Sequence, residues 1–299
     1  MKYRSGYIAI TGRPNVGKST LMNHLLDYKL SITSPKPQTT RRSVMGIFSD
    51  DEAQIIFLDT PGLIEPKYHL QKAMIRQIQN AIQDADALVY IVDDRLFGET
   101  GGILLTDEIN RLKDLNHSGK PAILVINKID LVVKDKLLPV IDACNAAYPF
   151  QSIIPVSAKK NDGLTDLMIE LKKVLPLHQP YYDQEILTDF PERFFVAELI
   201  REQIFYYYKE EIPYSTEVQV NEFIERDGRK DYISAVIFVE RDSQKGILIG
   251  RQGKALKDIG TRSRKAIEHF LGRPVFLELH VKVSKDWRKD DSKLRQFGY

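Results

Sequence analysis

Gly12, Gly17, Lys18 and Ser19 stand at the spacing GxxxxGK[ST] within Gly12-Arg13-Pro14-Asn15-Val16-Gly17-Lys18-Ser19, and Thr20 follows. Those types in that pattern suit a loop that holds phosphates. Glycines let backbone N–H groups curl around phosphate oxygens, and a helix N-terminus adds positive potential. Lys18 can reach the β- and γ-phosphates, and the Ser19 hydroxyl can ligate Mg²⁺. A glycine turn with a chance lysine is the bland alternative. It is disfavoured because the loop follows a strand-like run, Gly6–Thr11, and precedes a helical one.

A second constellation is Asp59-Thr60-Pro61-Gly62. An aspartate there can hold Mg²⁺ through water, and the Gly62 N–H can bond a γ-phosphate; alone, the tetrapeptide is ordinary turn chemistry. A third, Asn127-Lys128-Ile129-Asp130, selects the base. The Asp130 carboxylate can accept from the N1–H and N2–H₂ edge of guanine, whereas adenine would present it an acceptor. Asn127 and Lys128 would brace the loop and cover the base. Ser157-Ala158-Lys159 lies after the next strand-like run, where its backbone could read the guanine O6. Each motif has a bland reading by itself. All four in order, each at the end of a strand, do not, because ligands of open α/β sheets bind at that edge.

The elements that must carry these residues are legible. Val44–Ser49 and Gln54–Asp59 read as a hairpin, and Ala87–Asp93, Ala122–Asn127 and Ser152–Ser157 as short buried strands. Amphipathic stretches near 70–84, 103–117, 134–147 and 163–174 alternate with them, which predicts a mostly parallel sheet with helices on both faces. The chain of 299 residues exceeds one small core, so two domains are expected. No apolar run approaches a membrane span, and no signal-peptide core follows Met1. Cys144 is the single cysteine, which excludes an internal disulfide and fits a reducing cytoplasm.

The pattern changes after Leu175. Residues 176–190 read as a linker with two early prolines. A helix near 191–208, strands near 216–226 and 230–240, a helix–turn–helix near 243–270 and a strand near 274–284 then predict a second, α+β domain. Residues 241–299 hold 15 Lys/Arg against 7 Asp/Glu, a balance of +8 that leaves −6 for the rest of a chain whose total is +2. That asymmetry fits a nucleic-acid binder or a solvated basic face. Gly250-Arg251-Gln252-Gly253 is a GxxG loop between the helical segments, where nucleic-acid backbone could approach closely. Arg251, Gln252, Lys254 and Lys257 would meet phosphates, while Ile247 and Ile249 would floor the groove for bases. This is the KH mode of clamping single-stranded RNA. Trp287 could stack on a base or pack on its own domain.

The first set of motifs resembles the translation-factor-related GTPases. GRPNVGKST and QTTRR, followed by the GxxG unit, resemble more specifically the Era family of ribosome-assembly GTPases, as do ELIREQIF and the ending LRQFGY. The resemblance runs end to end. It implies an α/β P-loop GTPase domain over 1–175, a linker over 176–190, and a type II KH domain with a basic tail over 191–299. It also implies a GTP/GDP switch that hydrolyses GTP with Mg²⁺, binding to the 3′ end of 16S rRNA and to the 30S subunit, and a cytoplasmic protein in loose peripheral contact with the inner face of the membrane. By the family's pattern Thr40, rather than Thr39, would ligate Mg²⁺ with Ser19 and Asp59.

Many GTPases orient water with a glutamine just after the DxxG glycine; here that residue is Leu63, and Gln71 and Gln77 read as solvated helix residues. The chain therefore resembles GTPases in which a P-loop asparagine, here Asn15, helps bind K⁺. Asn15, Lys18, Thr40 and Gly62 form the expected catalytic set. Competing readings are a signalling GTPase with a protein-binding C-terminal domain, and an RNA-binding module whose first domain only senses nucleotide. Asp130 argues against an ATPase.

Overall fold

The structure is a computed structural model that describes residues 3–98, 100–117 and 119–299. Met1 and Lys2 lie outside them. The chain divides into two compact units. One comprises the segments up to Ser31, Thr40–Glu65 and Met74–Asp189, and the other Ile32–Thr39, Pro66–Ala73 and Phe190–Tyr299.

In the first stretch of chain, β1 (Arg4–Gly12), α1 (Lys18–Leu25), β2 (Val44–Ser49), β3 (Ala53–Asp59), α2 (His69–Asp84), β4 (Ala87–Val92), α3 (Gly101–Leu115), β5 (Ala122–Ile126), α4 (Leu137–Ala147), β6 (Ser152–Pro155) and α5 (Leu164–Val174) follow one another. The strands form one sheet in the order β2-β3-β1-β4-β5-β6, parallel except for the β2–β3 hairpin. β4 and β5 are buried along their whole length, as unbroken apolar runs require when helices cover both faces. Ala9, Leu88, Leu124 and Ile126 pack with Ile78 and Ile82 of α2, Leu112 of α3 and Cys144 of α4.

The register aligns the strand ends. Ile10 pairs with Asp59, Gly12 with Ile91, Val92 with Ile126, and Ile126 with Pro155. The chain leaves β1 toward β2 and β3 on one side and leaves β3 for β4 on the other, and the crevice at that reversal is where ligands of such sheets bind.

Residues 176–190 carry neither helix nor strand. They are tied along the sheet's edge: Ile47 N donates to Leu187 O at 2.8 Å, and Thr188 Oγ1 to Met45 O at 2.7 Å. The buried Gln54 accepts from Tyr181 N (2.7 Å) and Tyr182 N (3.0 Å) and donates to Tyr182 O (2.8 Å). The bonds to Ile47 N and Met45 O occupy backbone groups of the edge strand β2 that would otherwise be open to another chain.

The second unit holds α6 (Glu192–Tyr207), α7 (Ile212–Ser215), β7 (Glu217–Ile224), β8 (Asp231–Val239), α8 (Asp242–Ile249), α9 (Lys254–Leu271), β9 (Val275–Val283) and α10 (Asp291–Gln296). Its sheet runs β7-β8-β9, antiparallel then parallel. The period of two in β8 turns Ile233, Ala235, Ile237 and Val239 toward Val196, Ile200 and Ile204 of α6 and Ile259 and Ile267 of α9. Ile32 belongs to this core as well. Trp287 is fully buried, with Nε1 donating to Ser215 O at 3.0 Å and its ring edge-on to Phe297. That burial closes the base-stacking alternative. No helix among the described residues is long and apolar enough to cross a membrane.

Candidate functional site

The motifs meet beyond the ends of β1, β3, β5 and β6. In the loop after β1, the buried Lys18 ammonium donates to Gly12 O at 3.1 Å and Arg13 O at 2.9 Å. Burial lowers its pKa to about 8; a polyphosphate beside it would favour the charged form. Gly17 sits at φ +102, where a Cβ would run into the Asn127 amide. That is why this position takes glycine. Val16 O in turn accepts from Asn127 Nδ2 at 2.7 Å.

Three expected metal ligands come together. Ser19 Oγ donates to Asp59 Oδ2 at 2.7 Å and lies 2.8 Å from Thr40 Oγ1. Thr39 instead donates to Lys36 O and bonds Ser34, so Thr40 is the threonine at Ser19. Asp59 is fully buried, its carboxyl is pushed up by burial, and its Oδ1 has no hydrogen-bond partner. A buried carboxylate oxygen without a donor, beside two hydroxyls, suits a hard divalent cation such as Mg²⁺.

Past Asp59, Thr60 donates to Ile10 O at 2.8 Å, and a Cβ on Gly62 would lie 2.8 Å from Pro14 Cα, so Asp59-Thr60-Pro61-Gly62 lies directly against the phosphate loop. Leu63 is buried among Ile78, Ala81 and Ile82 and offers nothing to water. Gln71 and Gln77 depart from expectation. Gln71 is buried and accepts from Lys67 N at 2.7 Å, and Gln77 accepts from Ser43 N at 2.8 Å. Each side chain satisfies a backbone donor that the adjoining irregular segment leaves open.

The base loops are joined by Asn127, whose Oδ1 accepts from Lys128 N (2.8 Å) and Ala158 N (3.0 Å). Asp130 accepts from Ser157 Oγ at 2.7 Å, a bond that holds its carboxyl below the usual carboxylate range. Lys128 has φ +65, and its ammonium bonds Asp93 Oδ2 at 2.7 Å. Asp93 is buried and also takes Arg95 Nε at 2.7 Å. In the sequence Asp93 shows only as an acid closing the apolar run Ala87–Val92, which assigns it no role.

In the second unit, the GxxG turn joins α8 to α9 with Gly250, Gln252 and Gly253 at positive φ. Beside it opens a groove of about 410 Å³ lined by Gly253, Leu256, Lys257, Gly260, Thr261, Arg264, Leu277 and Leu279. Arg251, Gln252, Lys254 and Lys257 are exposed, as phosphate contacts must be. The two isoleucines expected at the floor stand apart from this groove. Ile247 is 48% exposed and Ile249 packs on the edge of the core, and neither lines the groove. Leu256, Leu277 and Leu279 supply the apolar surface, because α9 packs on β9. Gly260 leaves room there; a mid-helix glycine costs about 1 kcal/mol against alanine, which was the available cue.

Two family models match: "50S ribosome-binding GTPase" over residues 7–128 and "KH domain" over 211–288. The chain is 47% identical over 299 residues to the GTPase Era of Geobacter sp. (strain M21), covering 100% of this chain and 98% of that one. It is 45% identical over 298 residues to the GTPase Era of Lactobacillus delbrueckii subsp. bulgaricus, covering 100% and 97%. Among solved structures, an Aquifex aeolicus Era variant bound to GDP·AlF₄⁻ matches with TM-score 0.92 and 40% identity over 99% of both chains. An Era in complex with MgGDPNP and nucleotides 1506–1542 of 16S ribosomal RNA matches with TM-score 0.91 and 41% identity over 99% of both.

Proposed function

The chain belongs to the Era family of GTPases, and from that premise we propose that it is a cytoplasmic guanine-nucleotide switch that binds the 3′ end of 16S rRNA and assists assembly of the 30S subunit. One observation carries the reading: the phosphate-loop, Asp59–Gly62 and Asn127–Asp130 motifs gathered at one sheet edge, and a GxxG groove with apolar lining and a basic rim, occur in one chain. A relative of the same domain order has been captured with MgGDPNP and that stretch of RNA.

The residues would act as follows. Asp130 and the Asn127 brace select guanine, and the loop amides with Lys18 hold the phosphates. Ser19, Thr40 and Asp59 would hold Mg²⁺, whose charge, when bound, offsets that developing on the transferred phosphoryl group. Gly62 N–H would sense the γ-phosphate. In the second unit the GxxG turn and Lys254, Lys257 and Arg264 would track RNA phosphates while Leu256, Leu277 and Leu279 receive bases. The test is binding of a 16S 3′-end oligonucleotide by anisotropy, together with multiple-turnover GTP hydrolysis. Binding at least about tenfold tighter than to a scrambled sequence, and hydrolysis raised several-fold by the RNA, are expected. Equal binding of both sequences overturns the rRNA assignment.

With Leu63 buried, no side chain at that position can orient water, so another group would have to lower the barrier. Asn15, at φ +64 in the phosphate loop, is the side chain we propose for a K⁺ that complements Mg²⁺. Hydrolysis is expected to run about tenfold faster in K⁺ than in Na⁺ buffer, roughly 1.4 kcal/mol of barrier. Asn15→Ala should level the two, and equal wild-type rates in both salts would sink the idea.

A further inference from the structure

Glu108 on α3 is a carboxylate with 3% of its surface exposed, placed where an apolar helix face would ordinarily meet the sheet. It is held by two groups from different elements. Its Oε2 accepts from the Tyr90 hydroxyl of β4 at 2.6 Å, and its Oε1 accepts from Arg13 Nε in the phosphate loop. Asp107 stands 3.9 Å from the other end of the guanidinium. Burial, then the charge of Glu108, pushes the Tyr90 hydroxyl well above its usual pKa, so it stays a donor. A buried carboxylate is costly unless paired and hydrogen-bonded, and an apolar side chain would fill the same space without that cost. What the pair adds is direction. Arg13 is the second residue of the phosphate loop, and its carbonyl takes the Lys18 ammonium at 2.9 Å.

We propose that Glu108 is a positioning residue for nucleotide binding: seated on Tyr90, it grips the Arg13 guanidinium and so fixes the first turn of the phosphate loop. The grip also turns the Arg13 charge toward α3, leaving the phosphates to the loop amides and Lys18. Glu108 acts through Arg13 and touches no phosphate itself. The inference rests on the reading of Gly12–Ser19 as the phosphate loop.

The test is titration and stopped-flow dissociation of fluorescent GDP and GTP from the full-length protein, with Glu108→Gln, Arg13→Met, the double variant and Tyr90→Phe. Glu108→Gln and Arg13→Met are each expected to weaken GDP about tenfold, chiefly through faster dissociation, and the double variant about as much as either alone. For Glu108→Gln the GTP KM should rise while kcat at saturation stays within about twofold, the mark of lost uniform binding. Tyr90→Phe, which removes one hydroxyl and keeps the ring, should weaken GDP about threefold and serves if Glu108→Gln does not fold. GDP affinity within about twofold of wild type in a folded Glu108→Gln or Tyr90→Phe protein, or additive losses in the double variant, overturns the proposal. Wild-type protein that binds no guanine nucleotide would sink the phosphate-loop reading itself. Wild type that binds, with Lys18→Ala that does not and Glu108→Gln that binds like wild type, sinks this inference alone.

Discussion

Asp130→Asn is expected to weaken GTP binding by about a thousandfold and to let xanthosine triphosphate bind in its place. The Asp130 carboxyl accepts from Ser157 Oγ at 2.7 Å, and that bond holds its pKa below the usual range, so it is ionised at neutral pH. An ionised carboxylate can then accept from both guanine N1–H and N2–H₂. Each hydrogen bond to a charged group contributes about 1.5–3 kcal/mol, and an amide in its place turns a donor toward the 2-amino group. One bond turned into a donor–donor clash and the charge lost from the other amount to about 3–6 kcal/mol, or two to four powers of ten in affinity. Xanthine carries a carbonyl at the 2-position, so the amide N–H meets an acceptor while its oxygen keeps N1–H. The Ser157 hydroxyl can donate to the amide oxygen as it does to the carboxylate, which leaves the loop its brace. Titrations with fluorescent GTP and XTP decide the matter: GTP affinity within about tenfold of wild type, with no gain for XTP, would show that Asp130 does not read the base.

The phosphate and guanine motifs are local in sequence, and so is their chemistry. Gly12–Ser19, Asp59–Gly62 and Asn127–Asp130 each span a few residues at a strand end, and a sheet whose strands are level at one edge brings them together. Short unbroken apolar runs are informative for the same reason: the run Ala87–Asp93 is the strand Ala87–Val92, and Ala122–Asn127 is Ala122–Ile126. The unread parts are pairings between distant residues. Glu108 meets Arg13 from 95 residues away, and Asp93 meets Lys128 from 35. Glu108 lies in an amphipathic stretch with charged neighbours, and Asp93 shows only that it closes an apolar run; neither fact names the partner. The groove's lining is of the same kind, since Ile247 and Ile249 flank the GxxG turn in sequence while Leu277 and Leu279 reach the groove from β9. Ile32 sits between phosphate motifs in the chain yet joins the core of the second unit, which only the folded arrangement reveals.

That same arrangement selects the substitution that tests the RNA groove most cleanly. Gly250 and Gly253 both have positive φ, but a Cβ at Gly250 would lie 2.6 Å from Ala255 Cβ, whereas one at Gly253 meets nothing within 4 Å. Gly250→Asp therefore disturbs the junction of α8 and α9 as well as the groove. Gly253→Asp costs only the left-handed backbone, about 1 kcal/mol, which aspartate tolerates better than most residues. It also sets a negative charge at the N-terminus of α9, on the rim beside Lys254 and Lys257, where an RNA phosphate would approach. Affinity for the 16S 3′-end oligonucleotide is expected to fall about a hundredfold. The slope of log K against log salt should shrink by about 0.7, one phosphate contact on a single strand. Both follow from electrostatics and close approach, so raising salt should narrow the gap between variant and wild type. A thermal melt separates this from misfolding. Unchanged RNA affinity in a folded Gly253→Asp protein would mean that the basic groove binds something other than RNA. The signalling reading, with a protein partner on this surface, would then be the one to pursue.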